Sequence, residues 1–479
     1  MQSLVSLLAA AVMLGCGIAA AQALTPGPAS TTGAAAAPAV LAADPLPILF
    51  VAPNGSDSSP CTQLLPCLTW NRAYQLAPAG SVIGLLPGTY PSQTISNRTL
   101  TGTITIRPVA GASVTVNGRI LISTHGLAID GGQQLGTNET NQITVLGTNG
   151  AEPAVDFGRG NNSPQVTGNT VEDVHTRNVY VDDASTGNVF TRGEIGPSTM
   201  QPTNLCGDLV VSGDSQITVE YSLIHDNRGT GCGGAHIDAL DLNPASSPPT
   251  VIRGNRIWWC GTQCIFTGDP GSLVIENNMI EETEACGSGC DAPQEIAVMG
   301  TSVIRDNTVD GDVGLSCNSC DPPRPGDADV YGNVFLSSIG CTTFSSSVTT
   351  IRCDHNIFAS GSGGTNPKTC VPRLANGSLW TNTDRNADFH LSATDTCAAN
   401  AGDPARFPPL DLDEQARTSP PDAGADEITS SPPVTTTTGT TGTTTTQPTT
   451  TQTVPTTTTS PTTTSRLCIK HPNHPHCTR

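Results

Sequence analysis

The chain has 479 residues, with 41 acidic against 21 basic side chains and a formal charge of -20. Such a surface repels phosphate backbones, which excludes nucleic acid as a partner, and Lys368 and Lys470 are the only lysines available to grip any other polyanion. Apolar residues make up 36% and charged residues 13%, with 49 Gly and 38 Pro, a balance that suits many tight turns and few helices.

Leu4 to Ala21 is a mostly apolar run, and Ala21-Gln22-Ala23 supplies a small-x-small cleavage pattern, so residues 1–23 read as a signal peptide and the protein as secreted. The run is marginal in length for a membrane anchor and contains Gly15 and Gly17; no stable membrane insertion is expected. Cys16 falls within this segment, leaving 16 of the 17 cysteines in an oxidising compartment, where disulfides are the expected state. Cys61 and Cys67, Cys260 and Cys264, Cys286 and Cys290, Cys317 and Cys320, and Cys468 and Cys477 lie close in sequence, without fixing the pairing. Cys317, Cys320, Cys341 and Cys353 offer a zinc alternative.

Residues 24–47 form a flexible leader of Ala, Pro, Gly and Thr, and ordered sequence begins near Ile48. The next segment carries Val51-Ala52-Pro53-Asn54-Gly55, Pro66-Cys67-Leu68-Thr69-Trp70 and Leu86-Pro87-Gly88-Thr89-Tyr90. Thr69 is placed to cap a short helix.

Through the middle, a small or polar residue, then Asn, then two mostly apolar residues recur. The copies are Gly254-Asn255-Arg256-Ile257, Asn277-Asn278-Met279-Ile280, Asp306-Asn307-Thr308-Val309, Gly332-Asn333-Val334-Phe335 and His355-Asn356-Ile357-Phe358, with steps of 23, 29, 26 and 23 residues. Gly168-Asn169-Thr170-Val171 and Gly187-Asn188-Val189-Phe190 read as earlier copies, and Tyr221-Ser222-Leu223-Ile224 as a variant with Ser for Asn. A period of this size means a solenoid, because one repeat cannot bury its own apolar face. Segments such as Leu273-Val274-Ile275 are short, β-branched and bounded by turn residues, so the coils are built of strands. The asparagines suit left-handed turns and can bond from coil to coil, a structural role.

The richest chemical constellation is residues 206–241. A strand puts residues two apart on one face, so His236 and Asp238 project together, and a stacked coil can bring His225, Asp226 and Arg228 beside them. A carboxylate beside a His or a second carboxylate supplies acid-base chemistry, with Arg228 available to neutralise a sugar carboxylate. A His-Asp brace of the turn is an alternative, as is a Ca2+ site built from Asp208, Asp214 and Asp241. Trp258 and Trp259 alternate in a strand, so at most one is a platform for a sugar ring.

Towards the end stand Asp388-Phe389-His390-Leu391 and Pro421-Asp422-Ala423-Gly424-Ala425-Asp426-Glu427. Residues 429–465 are almost wholly Thr, Pro, Ser, Gly and Gln and read as an extended stalk, followed by a Cys- and His-containing tail at 466–479.

The opening phrases, the ladder and the two closing phrases together resemble secreted right-handed parallel β-helix proteins of the pectate-lyase-like superfamily, over residues 48–428. The resemblance implies an all-β, right-handed single-stranded parallel β-helix solenoid, with a capping helix at Thr69–Ala77, a first full strand from Val82 and a turn at Gly88-Thr89-Tyr90. It also implies an extracellular polysaccharide as partner. The paired-Asp, Gly-His-Gly and Arg-x-Lys set of the polygalacturonase-type hydrolases is absent, as is a lyase-type Lys-Arg pair. Three readings follow: a monomeric polysaccharide-binding or surface-structural β-helix, a polysaccharide lyase or glycoside hydrolase using the site at 225–241, and a secreted protein-interaction module.

Overall fold

The computed structural model describes residues 45–98, 101–132, 143–148, 153–158, 165–181, 184–196, 208–227, 238–245, 247–260, 263–267, 271–281, 294–298, 300–311, 313–314, 326–336, 350–359, 364–375 and 390–428. These form a right-handed parallel β-helix. The coil repeated at 250–276 shows the pattern: strand Thr250–Arg253, a tight corner at Gly254-Asn255, strand Arg256–Trp258, a second corner, strand Gln263–Thr267, and then strand Gly271–Glu276 beginning the next coil. Three faces result, here termed first, second and third in chain order. The first is a 12-stranded parallel sheet from Leu49–Val51 to Thr350–Asp354, and the other two share the second sheet. Val251, for example, pairs with Thr218 before it and Val274 after it.

Inward positions are apolar and fully buried, including Ile252, Ile257, Ile265, Ile275 and Ile304. Each such side chain contributes about 1.5–3 kcal/mol on removal from water. The corner between the first and second faces is held by a buried amide ladder. Asn255, Asn278, Asn307, Asn333 and Asn356 are all buried, and each Oδ1 from Asn278 onward accepts the backbone N–H and the amide N–H of the preceding Asn. Ser222 occupies the next rung up, its N–H donating to Asn255 Oδ1. The residue before each rung is left-handed, with φ 50° at Tyr221, 55° at Asn277, 52° at Asp306 and 51° at His355.

Asn169 and Asn188 stand elsewhere. Asn169 precedes the first-face strand Thr170–Glu172 and Asn188 opens the next, Asn188–Thr191, and the two form a separate ladder at the corner between the third and first faces. Both corners need a left-handed residue followed by a buried amide, so the same phrase marks either one. Gly88-Thr89-Tyr90, expected as a turn, instead opens the strand Gly88–Ser96, because Tyr90 is buried in the core and pairs with Val116.

The capping helix is Trp70–Leu76, with Thr69 Oγ1 accepting from Arg72 N at 3.1 Å. Cys61 bonds Cys67, Cys260 bonds Cys264 and Cys370 bonds Cys397. Cys353 is also disulfide-bonded, which removes it from the four-thiol zinc alternative. No helix among the described residues is long and apolar enough to cross a membrane.

After the last coil the chain turns back as a strap along the corner between the first and second faces. Arg406 reaches Asp329 at 3.2 Å, Gly424 N donates to Gly332 O, Arg417 donates to Asn277 Oδ1 at 2.9 Å, and Glu414 pairs with Arg192 at 2.9 Å. Under the strap, Asp306 is fully buried with neither carboxylate oxygen hydrogen-bonded. Burial pushes its pKa up to about 8, against the pull of Arg417 and Arg305.

Candidate functional site

Two clusters lie where the second face bends into the third. In the first, His225 ends the strand Leu223–His225 and is buried, its ring stacked on Trp258 of the next coil with centroids 4.3 Å apart. Nδ1 lies 2.8 Å from Asp226 Oδ2, and Nε2 lies 3.2 Å from Glu194 Oε1 of the coil before. Both partners are carboxylates, so both ring nitrogens act as donors, which only the imidazolium can do. Burial opposes the charge, but the hydrogen bonds to Asp226 and Glu194 and the charges of both outweigh it and raise the pKa. His175 Nε2 adds a third contact, 3.8 Å from Glu194 Oε1. A Cβ at Gly196 would lie 2.1 Å from the His225 carbonyl oxygen, so only glycine admits this approach of the coils.

The second cluster is acidic. Asp238 opens the strand Asp238–Pro244 and is buried. Its N–H donates to Asp208 Oδ1 at 2.7 Å, and its Oδ1 accepts Gln263 N–H at 3.0 Å. Desolvation, followed by the charges of Asp208 and Asp241, pushes its pKa up to about 8. The Cys260–Cys264 disulfide closes the bend just before that strand position and fixes the Gln263 donor. Asn227 joins the clusters, its N–H donating to Trp259 O and its side chain to Asp238 O at 2.6 Å.

His225 and Asp226 are therefore brought together, as are Asp208 and Asp238, whereas Asp241 lies three residues further along the strand, about 10 Å away, opposite Val211. Asp226 partners His225 rather than Asp238, and with both nitrogens engaged the imidazolium braces the bend and has no lone pair to accept a proton. Asp214 is exposed at a bulge with φ 46°, six residues beyond Asp208 and about 20 Å along the strand, so it does not share a cation with Asp208 and Asp241. Arg228 and His236 lie outside the described residues. Trp258 and Trp259 are both buried and neither forms an open platform. Arg253 and Arg305 alternate with Glu220 and Glu276 along the first face, Arg253 pairing with Glu220 at 2.6 Å.

Sequence reasoning did not find Glu194, His175, or the aromatic side chains beside Asp241. Register aligns Tyr180, Val211, Asp241 and Phe266 on successive third-face strands, all half-buried. Tyr180 and Phe266 thus flank Asp241 over three rungs, about 14 Å. An alignment of the coils on their inward residues would have exposed this row.

Residues 154–365 match the family model described as a right handed beta helix region. The chain has the right-handed parallel β-helix fold. Among solved structures it is similar to pectate lyase Pel9A, at 15% identity and TM-score 0.48, covering 81% of this chain and 97% of that one. It is also similar to XylC, solved with xylose, at 9% identity and TM-score 0.46, covering 80% of this β-helix chain and 98% of XylC. A rhamnogalacturonan lyase gives 12% identity and TM-score 0.32, with 64% and 87% covered. No curated protein matches the chain.

Proposed function

We propose that this β-helix protein is secreted and engages an extracellular polysaccharide on its third face, around Asp241. The half-buried row of Tyr180, Asp241 and Phe266 on this face carries the reading. Asp241 is half-buried and offers an acceptor for sugar hydroxyls, while Tyr180 and Phe266 offer ring faces on either side. Alternate polar and aromatic groups of this kind suit a sugar chain, whose faces are apolar and whose edges carry hydroxyls. The disulfides suit the oxidising compartment that the leading segment indicates. In this scheme residues 48–428 are the binding domain, with the 24–47 leader before it and the 429–465 stalk and 466–479 tail after it, and the protein acts as a monomer.

One observation favours a catalytic second reading. Asp238, its pKa pushed up to about 8 by desolvation and neighbouring charge, has the Asp208 carboxyl against its backbone N–H, and a carboxyl group held protonated beside a second one can serve as an acid. Asp238 would then be the proton donor, with Asp208 the acceptor. Ca2+ beside Asp208 and Asp238 is the alternative use of these charges, and would pull the Asp238 pKa down.

A screen of neutral and uronic-acid polysaccharides, with and without Ca2+, tests these readings through retention, new reducing ends and absorbance of an unsaturated product. Phe266→Ala and Asp241→Asn should weaken retention roughly tenfold each, equivalent to about 1.4 kcal/mol. Asp238→Asn should abolish any turnover. Retention unchanged in Phe266→Ala and Asp241→Asn would remove the third face as the site. A wild type that retains and cleaves no glycan would leave protein interaction as the function.

A further inference from the structure

The strap carries a cluster that the polysaccharide reading does not use. His390, Asp413 and Asp426 come from three separate segments, and one ligand atom of each lies within 4.8 Å of the others. Backbone pairing fixes all three. The His390 segment is held by Ala375 N–H donating to His390 O at 2.7 Å and by the antiparallel bridge of Leu374 to Leu391. Asp413 sits at the strap's hairpin, closed by the bridge of Leu410 to Ala416. Asp426 is buried and accepts Leu391 N–H on Oδ2 at 2.6 Å, and Leu412 N–H donates to Ala425 O at 2.9 Å.

From these contacts we infer that His390, Asp413 and Asp426 bind a divalent cation of the Zn2+ or Mn2+ class, which fastens the strap. Donors about 2.1 Å from a metal stand about 3 to 4 Å from one another, so the observed spacing, with His390 Nε2 2.8 Å from Asp413 Oδ2, closes on an ion with small side-chain shifts. Asp426 faces the imidazole of His390 and the carboxylates of Asp411 and Asp413. Asp411 is not a ligand here, because its oxygens accept the N–H groups of Asp413, Gln415 and Glu427. One imidazole and two carboxylates favour a borderline cation over Ca2+, which takes six or more oxygens. A second cluster, Asp354, His355 and Asp403, differs: the Arg406 guanidinium lies 2.7 Å from Asp403 and 3.5 Å from Asp354, so a cation is already in place.

The test uses the full chain, stripped with chelator and titrated with Co2+ and Zn2+. Wild type should bind one more equivalent of Co2+ than His390→Gln or Asp413→Asn, with a visible d–d band that both variants lose. Zn2+ at a hundredfold excess over its dissociation constant should raise the melting temperature by about 3 °C in wild type and not in the variants. Asp413 is partly exposed, so Asp413→Asn preserves the fold, as an unchanged β-rich circular dichroism spectrum would show. Asp241→Asn should leave the band intact, since it lies in the separate third-face cluster. A band that survives both strap variants, or one that Asp241→Asn removes, would overturn the assignment, as would a wild type that binds no Co2+.

Discussion

Replacing Asn307 by Ala should cost more than any substitution of a single exposed residue in this protein. The Asn307 amide makes five hydrogen bonds: it donates to Ile275 O, Arg305 O and Asn333 Oδ1, and accepts from the backbone and side chain of Asn278. The surroundings are sealed, with Asn278, Asn307 and Asn333 all fully buried, so water cannot replace what is lost. Alanine strands the Asn278 N–H outright, while the Asn278 amide keeps its bond to Ile252 O and Asn333 Oδ1 keeps the Asn307 N–H. One orphaned backbone donor and three weakened acceptors, at about 1–3 kcal/mol for a full loss, put the cost at about 3–5 kcal/mol. Asn307→Ser should cost about half as much, because Ser222 already serves as a rung, accepting Gly193 N–H and donating to Glu220 O. Urea denaturation followed by far-UV circular dichroism measures both variants. A loss below 1 kcal/mol for Asn307→Ala would refute the view that the ladder is a major source of stability rather than a by-product of the corner.

Two pH dependences follow from buried groups. His225 has a folded pKa raised above its ordinary 6.5, so its stabilisation is complete below 6.5 and is lost as pH rises through the folded value; His225→Gln should cost about 3 kcal/mol at pH 6 and flatten that part of the stability profile. An imidazole that titrates below 6.5 by NMR would contradict the two-carboxylate clamp. Asp306 is raised from 3.8 to about 8, so the wild type loses stability as pH rises between those values and gains nothing further above them. Asp306→Asn should match wild type near pH 4 and exceed it at pH 9 by up to roughly 5 kcal/mol, read from denaturation midpoints at each pH. A variant less stable than wild type at pH 9 would show that Asp306 is held ionised by Arg417.

The solenoid was legible because the Asn phrase is both periodic and required. Its placement was only partly legible, since Asn169 and Asn188 satisfy the same backbone demand at another corner, and a phrase set by local φ carries no label for the corner it turns. His225 and Asp226 were visible as neighbours in sequence. Glu194 was not, because it meets His225 from a coil 31 residues earlier and follows no acidic pattern. The Asp208, Asp214 and Asp241 grouping failed because spacing along a strand means distance: Asp208 lies opposite Asp238, and Asp241 opposite Val211, whereas proximity in a solenoid comes from one coil to the next. The strap was invisible for a related reason: residues 390–428 have no period, and Arg417 and Glu414 find partners 140 and 222 residues away.

The third face shows why function in this fold must be sought position by position. Its inward register runs Ile120, Val155, Val179, Val210, Leu240, Ile265, Ile296 and Val313, all buried and all aliphatic. The next register, offset by one residue, runs Leu121, Asp156, Tyr180, Val211, Asp241, Phe266, Ala297 and Gly314, with no two neighbours alike. Stacking imposes identical chemistry on the first row, because each side chain must fill the space left by the coils above and below. The second row is under no such demand. Variation there is therefore free to encode recognition, and its one charged half-buried member, Asp241, stands between the two aromatic ones. With the opposite corner occupied by the amide ladder and covered by the strap, this face is where a chain of sugars meets both acceptors and rings at the 4.8 Å rise of the solenoid.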